Sequence, residues 1–273
     1  MSLLAEWSDV KVPVIGMLHV PPLPGSAAYE GDFDAIRTFV LADAKTLRDG
    51  GVNGLMLENF GDTPFFPGRV PAITVAALTA LATMLRQHIN LPLGINVLRN
   101  DGLSALAVAA ATGAAFIRVN VLCGARVTDQ GLLQGIAHDL LRERSTLRCQ
   151  HIRILGDVDV KHSAALAPRP VDVETRDLIA RAHADAVIVS GQATGQPTDT
   201  GALSIVRNAA SPAPVFVGSG VTAENAADLI KAGAGGLIVG SSLKRDGQIF
   251  DPIDSRRVEN LMATVLAATA KEP

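Results

Sequence analysis

Residues 214–244 read PVFVGSGVTAENAADLIKAGAGGLIVGSSLK. The pattern predicts a strand, a glycine turn, a helix, a second strand and a second glycine turn. Residues 215–217 are β-branched and aromatic, the composition of a strand. Gly218-Ser219-Gly220 follows at once. Thr222 stands where a helix N-cap belongs, with Glu224 in the first turn. Residues 237–239 form the next strand, closed by Gly240-Ser241-Ser242, and a short helix is expected after Ser241. Two adjacent strands that end in small, glycine-rich turns bring backbone N–H groups to one rim. Such a rim binds phosphate, and in a (β/α)8 barrel it falls after the seventh and eighth strands. Gly218, Ser219, Gly220, Gly240, Ser241 and Ser242 are therefore read as phosphate-binding. The plainer alternative is that these glycines only turn the chain.

Outward from this stretch, the chain divides into eight strand–helix units. Strands are expected at 12–18, 54–59, 91–98, 116–122, 152–161 and 186–190, before the two above. Helices are expected at 34–49, 70–88, 103–112, 132–148 and 172–183, from Asp199 to about 209, and at 255–270. Residues 124–131 read as a loop. The even strands share a motif: GGVNGLMLEN, ATGAAFIRVN, RAHADAVIVS and KAGAGGLIVG. The odd strands echo one another as PVIGM, PLGIN, IRILGD and PVFVGSG. A pattern recurring every second strand fits a barrel core filled by alternate strands. A doubly wound open sheet is the alternative, but strand one lacks the GxGxxG fingerprint. The chain has 273 residues, the usual size of one barrel. We expect a single TIM-barrel domain over residues 1–273.

Composition narrows the function classes. The 24 basic and 27 acidic side chains leave a net charge of −3, which does not suggest a nucleic-acid surface. Trp and Tyr occur once each, too few for base-stacking platforms. Cys123 and Cys149 form no CxxC or zinc pattern and fit reduced thiols. No basic and apolar leader stands at the start. No apolar run reaches the 18–20 or so residues of a membrane span. We expect a cytoplasmic protein and a homo-oligomer; peripheral membrane attachment would leave no mark here.

Charged residues interrupt strands that should be almost wholly apolar. In strand five, Asp157, Asp159 and Lys161 alternate with Val158 and Val160. Period-two geometry puts the charged set on one face, pointing into the barrel. A structural Asp–Lys ion pair is one reading. The other is metal ligation or proton transfer by the carboxylates, with Lys161 as electrostatic partner or amine nucleophile. Strand four adds Arg118 and Asn120, strand three Asn96 with Arg99 just beyond, strand two Glu58 with Asn59 and Asp62 beyond, and strand one His19. Closure of the barrel converges His19, Glu58, Asn96, Arg118, Asn120, Asp157, Asp159 and Lys161 on one mouth. Asp157, Asp159 and Glu58 are the candidate ligands of a divalent metal ion. Asp129, Gln130 and Thr194 are weaker candidates, with capping and loop solvation as their plainer roles.

Several long motifs belong together: IGMLHVPPLPGS, LENFGDTPF, GINVLRND, FIRVNVLCGARVTDQG, DVDVKH and VGSGVTAEN. Between about Val12 and Arg257 the chain resembles the BtpA/SgcQ family. That family is named after a cyanobacterial photosystem I biogenesis protein and a protein of a sugar-utilisation gene cluster. The resemblance implies a TIM barrel. It assigns no catalytic residue, and no chlorophyll-ligand pattern supports carrying over the photosystem role.

The residues themselves favour an enzyme acting on a phosphorylated sugar or similar small phosphate ester. Acid–base or metal-assisted isomerisation, epimerisation or aldol cleavage is the first mechanism. A Schiff base on Lys161, with Asp159 moving protons, is the second. The first is preferred because flanking carboxylates should raise the Lys161 pKa. A metal-assisted hydrolase, a non-catalytic assembly factor and a flavin or nucleotide binder are the other readings.

Overall fold

The repeat motif is written into the backbone of the computed structural model, which describes residues 2–191 and 199–270. The residue before each even strand donates its N–H to a carbonyl at the start of the preceding odd strand. Asn53 reaches Val14 at 2.8 Å, Ala115 reaches Leu93 at 2.7 Å, and Asp185 and Gly235 reach Ile154 and Val215 at 2.8 Å. Four equivalent bonds make four equivalent corners. The strands they tie together are β1 (Val14–His19), β2 (Gly54–Glu58), β3 (Leu93–Asn96), β4 (Phe116–Val119), β5 (Arg153–Val158), β6 (Ala186–Val189), β7 (Val215–Val217) and β8 (Gly236–Val239). All pair in parallel and close in the order β1-β8-β7-β6-β5-β4-β3-β2. The expected (β/α)8 barrel is therefore the observed fold.

Among the described residues eight helices surround it: α1 (Phe33–Asp49), α2 (Ala72–His88), α3 (Gly102–Thr112), α4 (Ala137–Thr146), α5 (Val171–Ala180), α6 (Thr200–Ala210), α7 (Ala226–Lys231) and α8 (Ser255–Ala270). Asp101 caps α3 through the Ser104 N–H, and Asp199 caps α6 through that of Gly201. Among the described residues no helix is long and apolar enough to cross a membrane.

Inside the barrel, glycines alternate with rings. A Cβ on Gly94 would lie 2.0 Å from the Phe116 ring, and one on Gly236 would lie 2.2 Å from that of Phe216. Each ring thus fills the place of its neighbour's missing side chain, the large–small interdigitation a close-packed core needs. Trp7 plugs the N-terminal end, its ring centroid 5.9 Å from Phe116 and 6.2 Å from Phe216. Its indole N–H is satisfied by the Asn53 carbonyl at 2.8 Å.

Three expectations are corrected. Residues 124–134 are not loop running into helix. Strands Ala125–Thr128 and Gly131–Gln134 form an antiparallel hairpin, and Ser163–Ala165 completes a three-stranded sheet over the barrel mouth. The fourth helix consequently starts at Ala137. Thr222 does not cap α7, which starts four residues later; instead the Asn225 side chain accepts from the Thr222 N–H at 2.9 Å. The expected helix after Ser241 is a single 3-10 turn, Ser241–Leu243.

Candidate functional site at the barrel mouth

Strand register builds the site. His19 lies beside Glu58, Glu58 beside Asn96, and Asn96 beside Arg118. One row of polar side chains thus crosses four strands, directly above the row Met17, Met56, Gly94 and Phe116. Above the polar row a cavity of about 370 Å³ opens. Its lining includes His19, Glu58, Arg118, Asn120 and Lys161 on one side, and Gly218, Ser219, Gly220, Gly240, Ser241 and Ser242 on the other. The two glycine turns and the early-strand charges therefore share one space. Gly218 and Arg118 nearly touch: a Cβ on Gly218 would lie 3.7 Å from Arg118 Nη2. Gly240 has a packing role as well, since a Cβ there would meet His19 Cε1 at 2.6 Å.

Arg118 and Asp157 form a buried bidentate pair, with bonds of 2.9 and 2.8 Å. Asn120 donates to the same carboxylate at 3.1 Å. Asn96 lies below, donating to the Arg118 carbonyl at 3.1 Å and to Asn120 Oδ1 at 3.3 Å. Its own Oδ1 has no hydrogen-bond partner among the described residues, nor has His19 Nδ1. Buried polar atoms left unpaired are costly, so these two mark places where a ligand or water group belongs.

The expected co-facial set on strand five is broken after Asp157. Asp159 adopts a left-handed conformation, φ 53°. That turn sends its side chain, 70% exposed, away from the barrel to Arg126 of the hairpin at 2.7 Å. Lys161 returns to the cavity, and Arg99 Nη2 donates to its carbonyl at 2.6 Å. The proposed trio Asp157, Asp159 and Glu58 is thereby divided. Asp157 is consumed by Arg118 and Asn120, and Asp159 by Arg126. Among the described residues, no three His, Cys, Asp or Glu side chains are grouped to hold a metal ion. The residues present do not fit a divalent-ion site.

Protonation follows from burial. Burial, helped by Lys244, Lys161 and Arg118, pushes His19 down to about 3, so its ring is neutral. Burial raises Glu58, against the pull of Arg118 and Lys161. Burial opposes the Arg118 charge, but Asp157 and Glu58 outweigh it and hold the guanidinium protonated. Lys161 is pushed down to about 8, by burial and then Arg118, against Glu58 and Asp157. This reverses the expectation that carboxylates would raise it. Glu58 and Asp157 do pull it up, but burial outweighs them, and Asp159 has turned away to Arg126.

Several lining residues escaped the sequence reading: Phe60, Thr63, Phe65, Leu98 and His162. For Phe60, Thr63 and Phe65 the signal was the pair of phenylalanines in NFGDTPF, immediately after Glu58; Leu98 and His162 carried none. Asp129 does line the cavity, and Gln130 donates to it. Thr194 lies outside the described residues. Asn59 and Asp62 are scaffold. Asn59 accepts from the Leu98 N–H at 2.7 Å and donates to Asp62 at 3.0 Å, while Asp62 accepts from Leu23 at 2.8 Å.

The model of the BtpA family matches residues 10–267. The photosystem I biogenesis protein BtpA of Synechocystis is 45% identical over 261 residues, 96% of this chain and 90% of that one. The chain belongs to the BtpA family. An uncharacterized protein of Thermococcus kodakarensis is 46% identical over 252 residues, 92% of this BtpA-family chain and 94% of its own. Among solved structures, N-(5'-phosphoribosyl)anthranilate isomerase from Pyrococcus furiosus superposes with a TM-score of 0.59, covering 94% of this chain and 99% of that one. At 14% identity that likeness is one of fold.

Proposed function

We propose that the barrel mouth is an enzyme site for a small phosphorylated sugar or similar phosphate ester. The chemistry we propose is isomerase-, epimerase- or lyase-like. The observation that carries this reading is the shared cavity, with two glycine turns facing Arg118, Arg99, Lys161, Glu58 and His19. The phosphoryl group would sit on Gly218–Gly220 and Gly240–Ser242. In the 3-10 turn, the Leu243 and Lys244 amides bond to Gly240 and Ser241. The Ser241 and Ser242 amides, being first in the turn, have no partner inside it. Three cations around the cavity favour an anion. The P. furiosus neighbour is named for a phosphoribosyl substrate, which agrees with this use of the barrel.

The reacting carbon then lies beside Glu58, His19 and Lys161. With a pKa of about 8, roughly a tenth of Lys161 is neutral at pH 7. Its nitrogen bonds to a substrate carbonyl carbon. The carbonyl oxygen leaves as water, taking one amine proton and one proton from an acid such as Glu58, and a protonated imine remains. Ionised Glu58 then removes a proton from the adjacent carbon. Neutral His19 donates a hydrogen bond to oxygen charge developing in these steps.

A thermal-shift screen of sugar phosphates tests binding, since a ligand of the folded state raises the melting temperature. Borohydride added with an aldose or ketose phosphate tests the imine. We expect a reduced adduct on Lys161 that Lys161→Met abolishes. A stabilising ligand without an adduct would move the chemistry to Glu58 and His19 alone. No stabilising phosphate ester would end the proposal. The name of the Synechocystis relative supports a second reading, assembly without catalysis. That reading predicts an intact cellular role in a folded Glu58→Gln, Lys161→Met double variant.

A further inference from the structure

The chain is poor in aromatic residues, yet three of its eight phenylalanines, Phe60, Phe65 and Phe250, meet at one side of the mouth. Phe60 packs edge-on against His19, centroids 5.0 Å apart. Phe65 meets Phe60 at 6.5 Å, and Phe250 meets it at 6.2 Å, both edge-to-face. Phe250 is 49% exposed, so this apolar cluster reaches the surface. Beyond Phe60 lies a second cleft of about 560 Å³, lined by residues 247–251 and sharing Phe60 and Ser241 with the first. The cleft therefore continues the proposed phosphate and carbonyl site outward, past the glycine turn.

The loop carrying Phe250 is firmly anchored. Its two ends pair at Lys244 and Ile253. Asp43, buried on α1, holds both: one oxygen accepts from Lys244 Nζ at 2.5 Å, the other from the Ile253 N–H at 2.8 Å. Lys244 is fully buried, with its ammonium 5.0 Å from the centre of the Phe39 ring. A buried ion pair is a costly way to tie down a surface loop. The anchor holds the Phe250 ring against Phe60 at the cleft wall.

We infer that the substrate carries a planar aromatic group beside its phosphorylated sugar, and that this group packs in the cleft that Phe60 and Phe250 line side by side. This rests on the proposed phosphate-ester reading and narrows its substrate class. An aromatic ring presents a π-face or edge to both phenylalanines, whatever its substituents.

Titration calorimetry with four probes tests it: ribose 5-phosphate, adenosine 5'-monophosphate, uridine 5'-monophosphate and adenosine. We expect at least one nucleotide to bind about tenfold tighter than ribose 5-phosphate, the gain of one aromatic contact. Phe250→Ala should erase that advantage and leave ribose 5-phosphate within twofold. Equal affinity for nucleotides and ribose 5-phosphate would overturn the inference and leave the phosphate site standing. Adenosine binding that depends on Phe250, with no phosphate ester bound more tightly, would support the ring cleft and sink the phosphate reading. Failure of every ring-bearing probe to bind would overturn the inference outright.

Discussion

The guanidinium of Arg118 takes both oxygens of Asp157 where both side chains are buried, while two residues later the exposed Asp159 meets Arg126, a buried guanidinium that also holds Glu174. The same pair of charges therefore has two different costs. Asp157→Ala would strand a buried cation and should lose about 3–5 kcal/mol of stability. Asp159→Ala removes an exposed carboxylate and leaves Glu174 on Arg126, so it should lose no more than about 1 kcal/mol. Urea unfolding of the two variants checks the contrast, and equal losses would contradict it. His19 supplies a pH signature. Its folded value near 3 lies below the ordinary 6.5. Between these values the unfolded chain binds a proton that the folded chain refuses, so stability declines as pH falls from 6.5 towards 3. The slope is at most about 1.4 kcal/mol per pH unit. Glu58, raised by burial, acts oppositely, losing stability as pH rises above its ordinary value. His19→Gln should therefore flatten the acid side of a plot of urea midpoint against pH. An unchanged profile would mean that His19 accepts its proton freely in the folded protein.

At the scale of elements, the sequence was legible where one periodicity ran uninterrupted. Residues 255–270 are helical as read, and Asp101 and Asp199 cap the helices they precede. It was illegible where a single backbone angle changed the rule. The alternation Asp157, Asp159, Lys161 is period-two in sequence, but the strand ends at Val158 and Asp159 turns left-handed. Alternation cannot reveal that turn, because any residue type can sit on either side of it. The hairpin was hidden for another reason. Leu132 and Leu133 continue the apolar spacing of the helix that follows, whereas their pairing with Val127 and Arg126 is a contact between strands. Arg126 fastens this sheet to Asp159 and to Glu174 of α5. Arg126→Ala should free it, seen as faster amide hydrogen exchange in residues 125–134 with the barrel strands still protected. Unchanged exchange would assign the sheet's order to Val121, Leu133 and Val160 beneath it. Gly94→Ala should cost about 1–3 kcal/mol by overpacking against Phe116. Phe116→Leu in the same chain should recover part of that loss in a denaturation cycle.

Across the whole molecule, the barrel was readable because its four corners repeat in both motif and hydrogen bond. Convergence of the early charges with the late glycine turns was readable too, since closure leaves one mouth. What lay beyond the sequence was the division of labour within that mouth. The contacts, not the spacing, tie Asp157 to Arg118, and burial lowers Lys161 to about 8. The measurement that bears most directly on the shared pocket is calorimetric titration of ribose 5-phosphate into three proteins: wild type, Ser241→Asp on the glycine-turn wall and Lys161→Met on the opposite wall. One pocket predicts one site in wild type, abolished by the added carboxylate and weakened at least severalfold by loss of the amine. Wild-type affinity in both folded variants would place the anion elsewhere and contradict the account.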